Sequence, residues 1–210
     1  MDSNTPAAGS SPASFSEIQP INARVRGALT TVSDTTRALP RIDAAFARLV
    51  RPHVGQLMAA IQLHDSFDQR MSHFEAAAVE AEGLGSVDTA AVETVIAHQL
   101  SELATLLETT ARGLTKAYNA IAEKAQTSGP EGAPVSAAHE IGDLAKDGLA
   151  AATELGAAAE ELSTEAAGFS GRVAGTSGEE IREANLDWMF ALYTMDEERS
   201  IHKLALAQAA

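Results

Sequence analysis

Between residues 92 and 121, Val92, Ile96, Leu100, Leu103, Leu107, Leu114, Ala117 and Ile121 recur mostly at three- and four-residue steps. A near-heptad apolar repeat sustained over about 30 residues describes one long helix that must lay one face against neighbours of similar length. Nothing elsewhere offers a sheet as the alternative. Period-two alternation is absent, and no run of β-branched residues exceeds a few positions. Aromatic residues make up only 4% of the chain against 45% hydrophobic residues overall. The core must therefore be built from Ala, Leu, Ile and Val, which favours helices that approach closely. There is no cysteine, hence no disulfide framework and no thiol chemistry.

Punctuation divides the rest into further helices. Residues 1–14 are rich in Ser, Ala, Pro and Asn and are expected to be a disordered tail, with 15–210 forming one helical domain. Ile18, Ile21, Val25, Leu29, Val32 and Leu39 have helical spacing; Pro20 suits a first turn and Pro40 is expected to close the segment. A second helix is expected over about 41–82, broken near 50–54 by Pro52 and Gly55. Gly83-Leu84-Gly85-Ser86 is a short turn into the heptad helix, and the Gly- and Pro-rich run 127–134 is a loop after it. The fourth helix carries Ile141, Leu144, Ala152, Leu155, Ala159, Leu162, Ala166, Phe169 and Val173 along its seam. Gly142, Gly148, Gly156 and Gly168 interrupt it, each costing about 1 kcal/mol against alanine. Close helix contact would offset that cost; a merely weak helix would not, and the sequence does not separate the two. The fifth helix, about 179–207, has two apolar faces, Leu186, Met189, Phe190, Tyr193 and Leu204 on one and Trp188, Leu192, Met195 and Leu206 on the other. Such a helix is either sandwiched between neighbours or offers one face to a partner. The expected architecture is all-α: an elongated antiparallel four-helix bundle, with the N-terminal helix as an addition alongside or at one end.

The second helix carries the candidate site. With Met71 taken as the inward direction and about 100° per residue, Leu57, Ala60, His64, Phe67, Phe74 and Ala78 fall within roughly 60° of it. Gln62, Asp65, Gln69 and His73 fall on the opposite side, and Asp65 and Gln69, four residues apart, are neighbours there. A carboxylate and a carboxamide at fixed separation on an exposed face are usually plain solvated residues, and both readings stay open on spacing alone.

The pair Asp65-x-x-x-Gln69 resembles the signature of the CheZ-type phosphatases of bacterial chemotaxis. The wider stretch with Arg70 and His73, and the C-terminal run from Tyr193 to His202, resemble the short CheT-type members of that group. Together these stretches span about a tenth of the chain. The resemblance implies a long-hairpin helical bundle that accelerates dephosphorylation of the phospho-aspartate of a CheY-like response regulator. Gln69 would orient the attacking water and Asp65 would pair with the receiver's lysine. Gln62, Ser66 and His73 would touch the partner. The protein would bring no cofactor of its own; the receiver would hold the Mg²⁺. It also implies a CheR-type methyltransferase as a further partner, and a homodimer is compatible with it. The longer members carry a C-terminal segment that grips the receiver, and no counterpart is evident here.

Other chemistries are poorly served. With 15 basic and 29 acidic residues the net charge is −14, which disfavours nucleic acid and anionic membrane as partners. No apolar run of about 20 residues and no secretory leader pattern occurs, so cytoplasmic placement is expected. His64 and Asp68, and Glu198 and His202, are four apart, but paired Glu-x-x-His motifs of a di-iron site are absent and no metal centre is expected. His64 points inward and reads as a hydrogen-bonded core histidine. No nucleophile-elbow or phosphate-loop glycine pattern is present. Two other functions remain: a non-catalytic helical adaptor, and a histidine phosphotransfer bundle using His73, His53 or His202 beside Lys203.

Overall fold

The computed structural model describes residues 15–127 and 135–209, with side chains described over 15–127 and 137–195. The expected disordered tail therefore lies outside the described residues, as do the side chains of Glu198, His202, Lys203, Leu204 and Leu206. Every described element is helical apart from turns and one isolated bridge between Ala174 and Thr176. The order is α1 (Ile18–Ile42), α2 (Ala44–Val50), a 3₁₀ turn (Arg51–His53), α3 (Val54–Leu84), α4 (Ser86–Thr127), α5 (Val135–Val173) and α6 (Gly178–Ala209). None of the helices among the described residues is long and apolar enough to cross a membrane.

The breaks fall where local chemistry demands them. Pro52 sits in the 3₁₀ turn that separates α2 from α3, so the expected second helix is two. Gly85, at φ 152°, reverses the chain between α3 and α4 in a conformation L side chains rarely adopt. Pro40 does not close α1 as expected. It stands in the last turn, where Asp43 N still donates to Leu39 O at 3.0 Å, and the helix ends two residues later at Ile42. Asp43 is extended and its carboxylate then caps α2, accepting from Ala45 N at 2.6 Å.

Helix contacts run in a ring from α1 to α5, α5 to α4, α4 to α3 and α3 back to α1, with α4–α5 the most extensive. Cross-helix pairs give the senses. Phe15 meets Phe169 with ring centroids 5.9 Å apart, and further along α1 Arg24 binds Glu161 at 2.6 Å and Glu154 at 2.7 Å. Glu161, and then Glu154, push the Arg24 guanidinium above its ordinary pKa, while Arg24 holds the Glu161 carboxyl below the usual range. Arg172 donates to the buried Glu93 at 2.7 Å, tying the end of α5 to the start of α4. All eight residues of the heptad seam on α4 are buried.

This packing places the two terminal helices. The helix outside the ring is the C-terminal one: α6 lies against α4 and α3, whereas α1 buries Ile18, Ile21, Val25, Leu29, Val32 and Leu39 along its length. On α6, Trp188 and Leu192 are buried, and Trp188 Nε1 donates to Asp88 Oδ1 at 3.3 Å. Its other face, Leu186, Met189, Phe190 and Tyr193, is exposed rather than sandwiched.

Tyr118 of α4 is fully buried and joins three helices. Its hydroxyl is 2.6 Å from Thr35 Oγ1 and 3.0 Å from Thr36 Oγ1 on α1, and its ring lies over Gly148 of α5. Burial pushes the phenol above its ordinary pKa, with the two threonine contacts opposing. A raised folded value means the stabilisation is fully present below the unfolded value of about 10 and is lost as pH rises through the folded one. Urea midpoints should therefore fall above about pH 10, and Tyr118→Phe should flatten that fall. Equal pH slopes for the two proteins would show that Tyr118 does not carry it.

Candidate functional site

The site begins with the rotation of α3. Leu57, Ala60, His64, Phe67, Met71 and Phe74 are all buried, and the Phe67 and Phe74 rings pack at 5.9 Å. This stripe leaves little freedom for the helix to turn about its axis. Asp65, 62% exposed, and Gln69, also exposed, consequently stand on successive turns facing out. Gln62 is exposed as expected, and Ser66 is half-buried.

His73 departs from expectation. It is half-buried and its Nδ1 is enclosed without a hydrogen-bond partner. The single-stripe wheel assumes neighbours on one side, but α3 contacts α6 as well as α1 and α4. The buried sector is wider beyond residue 70, where Ala77 and Ala81 are covered as well as Ala78.

His64 is the hydrogen-bonded core histidine that its position suggested, with Nε2 3.3 Å from Asn22 O on α1. Its Nδ1 lies 3.6 Å from Asp65 Oδ1, so the core histidine and the exposed carboxylate are in contact. Asp68 is engaged by α1. It accepts from Asn22 Nδ2 at 2.6 Å and from Arg26 at 2.6 Å, both on α1. Among the described residues, no three His, Asp or Glu side chains converge as metal ligands would. Of the histidines considered for phosphotransfer, His53 packs against Gly113 of α4 and His73 is half-buried, while the His202 side chain lies outside the described residues.

The exposed pair borders the seam between α3 and α1. One cleft of about 210 Å³ is lined by Arg26, Ser33, Arg37, Ile61, His64 and Asp65. A second, about 410 Å³, includes Asn22, Arg26, Asp68, Gln69, Ser72 and Glu75 in its lining. Arg26 lines both clefts. Neither Asn22 nor Arg26 stands out in the α3 stretch that carries the resemblance. The available signal was Asn22 itself, a polar residue within the apolar seam Ile18, Ile21, Val25 of α1, with Arg26 one turn further on.

Chemically, Asp65 can take a cationic partner group. The Gln69 carboxamide both donates and accepts hydrogen bonds without bringing charge. Comparison with protein-family models, with curated proteins and with solved structures finds no match for this chain.

Proposed function

We propose that the protein is a phosphatase for the phospho-aspartate of a CheY-like response regulator, acting in chemotaxis signal termination. The observation that carries the reading is the exposure of Asp65 and Gln69 on successive turns of a helix whose rotation is held by a buried stripe. In this reading Asp65 pairs with the receiver's lysine and sets docking orientation. Gln69 accepts a hydrogen bond from the attacking water and donates to a developing phosphoryl oxygen. The water oxygen bonds to phosphorus as the bond to the aspartyl oxygen breaks. Inorganic phosphate leaves, the aspartate carboxylate is regenerated, and the water protons pass to phosphate and solvent. The receiver supplies Mg²⁺, and catalysis by this chain is positioning. The ring of α1, α3, α4 and α5 is read as an elongated antiparallel four-helix bundle, with α6 as the addition, in a cytoplasmic protein.

The test is phosphate loss from phosphorylated receiver domains of the organism, alone and with increasing amounts of the protein. The expected result is a decay rate that rises and then saturates for at least one receiver. No acceleration with any receiver would overturn the reading. A second reading, a non-catalytic adaptor for a response regulator or a CheR-type methyltransferase, draws on the exposed apolar face of α6. Binding of a phosphorylated receiver without faster decay would favour it.

A further inference from the structure

We infer that α1 supplies a catalytic group to the same groove: Arg26, placed by Asp68, binds the phosphoryl oxygens while Gln69 orients the water. This rests on the phosphatase reading above.

The argument starts from charge. The chain carries a net −14, and a phosphoryl group brought to Gln69 would face Asp65 and Asp68 on α3, with Glu75 two turns along. The receiver's own Mg²⁺ and lysine offset part of that repulsion, and a cation on this protein's side of the phosphoryl group would offset more. In the cleft that contains Gln69, Arg26 is the basic side chain among the lining residues. It also lines the cleft that contains Asp65, so it borders the clefts of both groups assigned to the receiver. Its Nη2 is 2.6 Å from Asp68 Oδ2, and Asp68 immediately precedes Gln69 on α3. The other carboxylate oxygen of Asp68 accepts from Asn22 Nδ2 at 2.6 Å. Asn22 is only 5% exposed, so that side of the arrangement is anchored in the core. Arginine has five N–H donors in a planar fork, so a pair made through one nitrogen leaves others to meet an anionic oxygen. The Arg26 side chain is 58% exposed and reachable by a docked partner. An arginine beside a transferring phosphoryl group stabilises the charge that develops on its oxygens.

The alternative is that Arg26 only staples α1 to α3, and the experiment separates the two. Decay of the phosphorylated receiver is followed against protein concentration for wild type, Arg26→Ala, Arg26→Lys, Asp68→Asn and Arg24→Ala. Circular dichroism melts confirm that each variant is folded. Arg26→Ala should lower the saturating rate at least about tenfold with little change in half-saturating concentration; an enclosed donor of this kind commonly costs about 10²–10³, and Arg26 is more than half exposed. Arg26→Lys should restore part of the loss, since charge returns without the fork. Asp68→Asn weakens the same ion pair but keeps the Arg26 charge, so it should retain more of the rate than Arg26→Ala. Arg24→Ala, which removes a cation on the α5 side of α1, should leave the rate unchanged. An Arg26→Ala rate equal to wild type, or an Asp68→Asn loss as large as that of Arg26→Ala, overturns this inference and leaves the Gln69 reading intact. Absence of acceleration by wild type overturns both.

Discussion

Gln69→Ala should abolish most of the accelerated dephosphorylation while leaving the protein folded. The side chain is exposed, and alanine is the best helix former, so α3 should stay helical after the change. What is lost is the group that positions water, and removal of one such group commonly costs about 10²–10³ in rate, or roughly 3–4 kcal/mol. The measured loss is bounded by the total acceleration that wild type provides. Receiver binding should survive, because Gln69 acts on the water more than on docking. Asp65→Ala should behave differently, weakening both binding and rate through loss of an ion pair and an orientation constraint. It also removes the carboxylate 3.6 Å from His64 Nδ1, so its melting curve must be compared with that of Gln69→Ala. A Gln69→Ala protein that accelerates decay as well as wild type would show the proposed mechanism to be wrong.

Gly148→Ala should be among the most destabilising single-methyl additions available to this chain. A Cβ at that position would stand 2.3 Å from Tyr118 Cζ and 2.4 Å from Cε1. The tyrosine is fully buried, so its ring cannot swing into solvent to make room. Displacing it stretches the hydroxyl contacts to Thr35 and Thr36 on α1. Overpacking costs about 1–3 kcal/mol, and stranding the hydroxyl about 1–3 kcal/mol more. Against this the helix gains about 1 kcal/mol from alanine. The net expectation is about 3 kcal/mol of lost stability, read as a fall in melting temperature of roughly 6–12 °C for a chain of this size. Gly142→Ala, where nothing lies within 4 Å, is the control and should be neutral or stabilising. Combining Gly148→Ala with Tyr118→Leu should cost less than the sum of the two changes, because the second removes the atoms that the first strikes. A Gly148→Ala protein that melts with wild type would refute this account of the three-helix junction.

These two positions show how far periodicity reaches. The direction of Gln69 follows from its own neighbours: Phe67, Met71 and Phe74 repeat at three- and four-residue steps, and the exposed side follows from the buried one. Gly148 has no such local signature. On the sequence it is one of four glycines in the fourth helix, each a cost of the same size. The structure separates them by what stands opposite: Tyr118 over Gly148, only the Ala111 methyl at 3.8 Å from a Cβ built on Gly156, and open space at Gly142 and Gly168. His73 illustrates the opposite failure, a residue whose wheel position points outward but which the structure leaves half-buried, with Nδ1 enclosed.

Helical state, the breaks at Pro52 and Gly85, the buried stripe of α3 and the exposure of Asp65 and Gln69 are properties of short stretches. They depend on spacing within a few residues, and the sequence by itself determined them. Which helix stands outside the ring, which glycine is irreplaceable and which cation lies beside Gln69 depend on contacts between distant segments. Asn22 and Asp68, for example, are separated by 46 residues. A helical pattern states which face of a segment is apolar, and carries no term for what will be packed against it. Only the tertiary structure decided that α1 would bring Arg26 to the edge of α3, because only packing brings those two surfaces together.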